Sequence, residues 1–176
     1  MRFLLAVSCL FMCAAGTLAA DDKIVTPPTL FLDGHEWKLA TELNEPGKVS
    51  REYIPTTEDP QKWTELFSVQ VFLGIDMDPA GFFNLFIEGL KQAVPKNKVE
   101  SRIISQSPDD LFGEWWIQDN SPFDQHEWFR LIKNGDETLI VRYTTKKSAS
   151  VEQQRKYWET FLKELKGKGD ITTKKA

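Results

Sequence analysis

Glu127-Trp128-Phe129-Arg130-Leu131-Ile132-Lys133-Asn134-Gly135-Asp136-Glu137-Thr138-Leu139-Ile140-Val141-Arg142-Tyr143 is the stretch that decides the fold. Two runs rich in aromatic and β-branched residues, Glu127 to Ile132 and Thr138 to Tyr143, flank Asn134-Gly135, the strongest short hairpin signal. A two-residue turn pairs Lys133 with Asp136, and a loop one residue different flips the pairing. Either register leaves apolar residues on both faces of both strands. A sheet with two apolar faces must be covered on both sides.

Working outward, the same pattern repeats on the N-terminal side. Val99 to Gln106 and Leu111 to Gln118 read as strands, separated by Ser107-Pro108-Asp109-Asp110 and closed by Asp119-Asn120-Ser121-Pro122. Glu36 to Ala40, Val49 to Ile54 and Glu65 to Leu73 read as three earlier strands. In the last of these, Phe67, Val69, Val71 and Leu73 share one face. A helix is predicted from Asp78-Pro79, an acidic cap followed by proline in the first turn. Phe83, Ile87, Leu90 and Val94 form its stripe, with Phe82, Phe86, Gly89 and Ala93 beside them, and Pro95 stops it. A second helix is predicted from Ser150, which has capping-box spacing to Gln153. Its stripe is Trp158, Phe161, Leu162 and Leu165, and Gly167 ends it.

Three strands, a helix, four strands and a helix do not alternate regularly. The expected class is therefore α+β: a mostly antiparallel sheet of about six to seven strands with two long helices, one on each face, an α/β/α sandwich. The domain is expected over residues 34–166. Residues 21–33 read as a mobile polar lead-in and 167–176 as a disordered polar tail.

The first twenty residues have a different character. Met1-Arg2 is followed by an apolar run of about ten residues and then by small residues to Ala19-Ala20, the pattern of a cleaved secretory signal peptide. A bilayer span needs about twenty apolar residues. Export implies a periplasmic or extracellular destination, and the lack of an Asn-x-Ser/Thr acceptor is compatible with a bacterial source. Both cysteines, Cys9 and Cys13, lie in this segment, so the chain beyond it has neither a disulfide nor a thiolate for catalysis or metal binding.

Composition narrows the function classes further. The 176 residues carry 22 basic and 26 acidic side chains, a net charge of −4, which argues against general nucleic-acid binding. There is no glycine-rich phosphate loop and no Gly-x-Ser-x-Gly. Asp124, His126 and Glu127 are the candidate residues for a small hydrolase using Asp, Glu and His. The other histidine, His35, follows Asp33 at i, i+2. A metal site needs three or four converging ligands, and the plainer reading of both histidines is a surface imidazole beside acids. No metal site and no cofactor are expected. Asp76 and Asp78 are better used in capping the first helix than in holding calcium. Glu52, Glu65, Glu114 and Glu127 lie on strands, where any two carboxylates could face across a cleft as in glycoside hydrolysis.

Six tryptophans are many for this length. Trp37, Trp63, Trp128 and Trp158 suit a cysteine-free core. Adjacent Trp115 and Trp116 point to opposite sides of their strand, so either both sides are covered or one indole is exposed. An exposed indole with Arg102, Arg130 or Arg142 nearby could stack a sugar or anchor a partner. The candidate binding residues are therefore Trp115, Trp116, Arg130 and Arg142. The lysine-rich tail reads as solvated, with weak contact to anionic polymers or lipids as the alternative.

The order of elements resembles the small α/β/α sandwiches of the PsbP and Mog1 type, which include exported bacterial domains, many of them adaptors or assembly factors without chemistry. Separately, Arg51-Glu52-Tyr53-Ile54-Pro55 followed by Trp63-Thr64-Glu65 is similar to a segment of small exported proteobacterial proteins without an established activity. Neither resemblance implies site residues. The expected function is an exported, soluble, non-enzymatic domain that binds an envelope or extracellular protein or a glycan, with no nucleic acid and no transmembrane span. The alternatives are the small secreted hydrolase and a carrier of a small hydrophobic ligand lined by Phe82, Phe83 and Phe86.

Overall fold

The computed structural model describes residues 29–167 and Ile171. The expected signal peptide, the first part of the lead-in and the rest of the tail lie outside the described residues. Eight strands form one antiparallel sheet: β1 (Thr29–Leu32), β2 (His35–Glu45), β3 (Lys48–Pro55), β4 (Glu65–Leu73), β5 (Val99–Ser107), β6 (Asp110–Ile117), β7 (Gln125–Asn134) and β8 (Glu137–Thr145). The two long helices are α1 (Pro79–Ala93) and α2 (Val151–Glu164). The sheet order is β1-β2-β3-β4-β8-β7-β6-β5. Two four-strand meanders thus join at the β4–β8 pair, and α1 carries the chain across to the far edge at β5.

The α+β class and the antiparallel sheet agree with the sequence. The strand count is higher than expected because residues 29–32, read as part of the lead-in, form β1. Asp33 and Gly34 carry the β1–β2 turn with φ of 50° and 72°, and Leu30 and Leu32 are buried. The Trp37 indole N–H donates to the Leu32 carbonyl at 3.1 Å, fixing this added strand to the core. Ile171, inside the tail read as disordered, is buried in the same apolar cluster.

The hairpin register at Asn134-Gly135 is resolved. Asn134 pairs with Glu137 and Lys133 with Thr138, so the two turn residues are Gly135 and Asp136. Gly135 has φ 60° while Asp136 does not enter the left-handed region. That is the pattern of a type II′ turn, with glycine first.

Strand alternation sorts the core into two clusters. Leu139, Val141 and Tyr143 on β8, Trp128 on β7 and Phe67, Val69 and Val71 on β4 pack with Trp158, Phe161 and Leu162 of α2. Ile140, Phe129, Leu131, Leu111 and Trp115 pack with Phe82, Phe83, Phe86, Ile87 and Leu90 of α1. Phe82, Phe83 and Phe86 lie 6.5, 5.5 and 5.6 Å from the Phe129 ring, so the three phenylalanines assigned to a carrier cavity are engaged in ring packing.

The Asp78 carboxylate caps α1 by accepting from the Gly81 N–H at 2.8 Å, as its position before Pro79 predicts. At α2 the expected capping box is absent. The Ser150 side chain makes no cap bond; its hydroxyl instead donates to the Lys147 carbonyl at 3.0 Å, closing the 3-10 turn Ser148–Ser150 ahead of the helix.

Candidate functional site

The cleft of interest lies where the β5–β6–β7 side of the sheet meets the start of α2. It encloses about 400 Å³, and its lining includes Arg102, Glu114, Trp116, Gln118, His126 and Arg155. Two-residue periodicity brings these groups together. Arg102 on β5 is opposite Glu114 on β6, and Trp116 on β6 is opposite His126 on β7. Residues two apart on a strand share a face, so Glu114 and Trp116 point the same way, as do His126 and Trp128.

Glu114 is the centre. Its side chain is 1% exposed, and three donors converge on its two oxygens. The Arg155 guanidinium reaches Oε2 from α2 at 2.7 Å. His126 Nε2 meets the same oxygen at 2.8 Å. Arg102 holds Oε1 from the neighbouring strand. Burial alone would raise the acid's pKa, but the hydrogen bonds from His126 and Arg155 and the positive charge of Arg155 outweigh it and bring it from 4.5 to about 2. The carboxylate is therefore ionised. Burial works against the charged form of Arg155, yet its bonds to Glu152, Glu114 and Glu159 push its pKa up.

Above this ion cluster the aromatic rings form a continuous series. Trp116 and His126 are nearly parallel at 5.6 Å, and His126 lies 4.3 Å from Trp128. Trp128 stacks on Tyr143 at 5.8 Å, and Tyr143 on Trp158 at 3.8 Å. Arg155 sits over the Trp128 ring at 5.5 Å, a cation–π contact. The cleft wall is thereby continuous with the hydrophobic core. Trp116 is only partly buried, and its indole N–H donates to Glu100 at 2.8 Å.

The candidate hydrolase residues are separated. His126 joins the cleft. Glu127, the next residue, points to the opposite side, where it accepts from the Trp115 indole at 2.9 Å and the Thr144 hydroxyl at 2.7 Å. Asp124 closes the β6–β7 loop by accepting from the N–H groups of Asp119, Asn120 and Ser121. Among the described residues no group of three His, Asp and Glu side chains is placed to hold a metal ion.

The candidate binding residues also divide. Trp116 lines the cleft. Trp115 is buried on the α1 side, and Arg142 lies on that side too, 3.7 Å from Glu127. Arg130 lies on the α2 side but is tied to Asp110 and to the Leu162 carbonyl. Of the strand carboxylates, Glu65 sits apart, accepting from Tyr143 and Gln154 at 2.6 and 2.7 Å.

Sequence reasoning did not find the central trio. Glu114 stood out only as one of several strand glutamates, Arg102 only as a neighbour of tryptophan, and Arg155 not at all. A β-bulge between Ile103 and Ser105 shifts the β5–β6 register by one and sets Arg102 opposite Glu114. Nothing in the sequence marks that bulge.

No helix among the described residues is long and apolar enough to cross a membrane. No family model and no curated protein matches the chain. Among solved structures, the chain is similar to the solution structure of PsbP (CyanoP) from the cyanobacterium Synechocystis sp. PCC 6803, at 12% identity and a TM-score of 0.46. The match covers 82% of this chain and 94% of that one. This is the type that the order of elements resembles, and at this level of likeness no residue or role carries across.

Proposed function

We propose that this chain is an exported, non-enzymatic binding domain that takes its partner in the cleft around Trp116. The observation that carries the reading is the closed ion cluster at Glu114. Its oxygens are already engaged by Arg102, Arg155 and His126, an arrangement that fixes a surface instead of offering a free acid or base. A proton acceptor held near 2 has little basicity for catalysis. Export is supported by the apolar N-terminal run and the small residues before Asp21. The α/β/α layering is supported by cluster membership, since neighbouring residues such as Trp128 and Phe129 belong to different helices' clusters.

The test is affinity capture by the chain lacking residues 1–20, using envelope and culture-medium fractions from the native source. Trp116→Ala serves as the paired bait. A partner retained by the parent and lost by a folded Trp116→Ala supports the reading. Equal retention by both, or hydrolysis of a substrate that depends on His126, overturns it.

A further inference from the structure

We infer that the cleft ligand is a neutral oligosaccharide, recognised by hydroxyl groups and ring faces and not by charge. The inference rests on the cleft being the binding site and adds the class of ligand. Its ground is the way charge in and around the cleft closes on itself. Glu114 is paired with Arg102 and Arg155 and bonded by His126. Arg155 also bonds Glu152 and Glu159 at 3.2 and 3.1 Å, and Lys163 pairs with Glu159 at 3.4 Å. Glu100 is held by Lys98 at 2.5 Å and by the Trp116 indole. The four carboxylates Glu114, Glu152, Glu159 and Glu100 thus face the four cations Arg102, Arg155, Lys163 and Lys98, so their formal charges cancel and leave little net field to attract a phosphate, an acidic polymer or a basic peptide.

Beside these paired charges the cleft offers neutral, planar groups. Trp116 is a partly exposed indole on the cleft wall, a flat apolar surface that suits the C–H face of a pyranose ring. Gln118 and Gln125 also line the cleft, and their amides have no side-chain partner among the described residues. Each amide offers donors and an acceptor, which matches a sugar hydroxyl that both gives and accepts. Arg102 uses one N–H group on Glu114, and its side chain is 58% exposed, so further donors are presented in a fixed plane. Glu152 is 81% exposed and adds acceptors at the rim. A platform of one aromatic ring with planar polar side chains around it recognises polyols. A cleft of about 400 Å³ lies within the ordinary range for small-ligand sites.

The experiment is isothermal titration of the chain lacking residues 1–20 with hexamers of cellulose, starch, chitin and polygalacturonate, with indole fluorescence as a second readout. We expect saturable binding of at least one neutral hexamer, with affinity unchanged between about 50 and 500 mM salt. Trp116→Ala should weaken it at least about tenfold, and Gln118→Ala/Gln125→Ala should do so while leaving the circular dichroism and thermal midpoint intact. Preference for the galacturonate hexamer with loss at high salt overturns the inference, as does neutral binding that neither variant changes. If no hexamer binds while Trp116→Ala still loses the captured envelope partner, the neutral-sugar inference fails and the cleft reading stands. If Trp116→Ala changes neither readout, both fail.

Discussion

Glu114 of β6 and Arg155 of α2 meet at 2.7 Å, and this pair links the last helix to the sheet. The carboxylate is 1% exposed and the guanidinium 24%. The buried end of the bond is thus the acid, which depends on its donors for compensation. Removing the acid leaves Arg155, Arg102 and His126 directed at an uncharged group. Glu114→Gln is expected to lower unfolding stability by about 3 kcal/mol at pH 7, read by urea denaturation. A loss below about 1 kcal/mol would show the cluster to be an ordinary surface pair.

Acid should find the same residue. The folded-state pKa of Glu114 lies below its ordinary 4.5, at about 2. A lowered carboxylate pKa contributes stability that is complete above the ordinary value and is lost as pH falls through the folded one. Between pH 4.5 and 2 the chain should lose roughly 2–3 kcal/mol from this group. Glu114→Gln should lack that component, so the two stability curves converge toward pH 2. Parallel curves would assign the acid sensitivity elsewhere.

The two tryptophans nearest His126 should separate binding from folding. Trp128 is fully buried against Tyr143 and His126. Trp128→Ala removes a large core side chain and is expected to cost about 3–5 kcal/mol. Trp116 is partly exposed at the cleft, and Trp116→Ala is expected to cost about 1 kcal/mol while removing the binding signal. Calorimetric melting of both variants beside a binding titration distinguishes the roles. Equal destabilisation would make Trp116 a core residue.

How much was legible follows from which physical signals are local. The α1 start was readable because Asp78-Pro79 combines a cap and a fixed φ within two residues. The β7–β8 hairpin was readable, but its register needed the backbone, since glycine fits either position of a tight turn. β1 was overlooked although Asp33-Gly34 between alternating leucines is a hairpin signal; four residues and a polar neighbourhood gave the strand little periodicity. At the site, Trp116 and His126 could be named, while Glu114 with its arginines could not. Arg102 reaches it only through a bulge, and Arg155 is 41 residues away in sequence.

On the other side of the sheet, Trp115 should behave as part of a buried polar network. Its indole N–H donates to Glu127, which also accepts from Thr144. Trp115→Phe keeps most of the apolar packing against Phe86 at 6.1 Å but takes one donor from the buried Glu127 carboxylate. A destabilisation of about 2 kcal/mol is expected, with unchanged cleft binding. Loss of ligand affinity in this variant would mean that the two sides of the sheet are coupled.

Gly113 tests whether α1, the β5 backbone and the cleft share one packing constraint. A Cβ at this position would stand 3.0 Å from the Arg102 carbonyl oxygen and 3.2 Å from the Phe83 ring. The first of these is backbone of the neighbouring strand, so relief requires β5 to move. Replacing glycine by alanine restricts the unfolded chain and by itself stabilises by roughly 0.4–1 kcal/mol. Overpacking at a fixed backbone costs typically about 1–3 kcal/mol, and here it exceeds that gain. Gly113→Ala should therefore be net destabilising by about 1–2 kcal/mol. It should also weaken cleft binding, because the displaced backbone carries Arg102, which holds Glu114. Gly89 is the control: it lies on the exposed side of α1 with nothing within 4 Å of its added Cβ. Gly89→Ala should stabilise by about 0.5–1 kcal/mol through helix propensity alone and leave binding untouched. Urea denaturation of the two variants in parallel gives opposite signs if the strand is held this tightly, and equal signs if β5 yields freely.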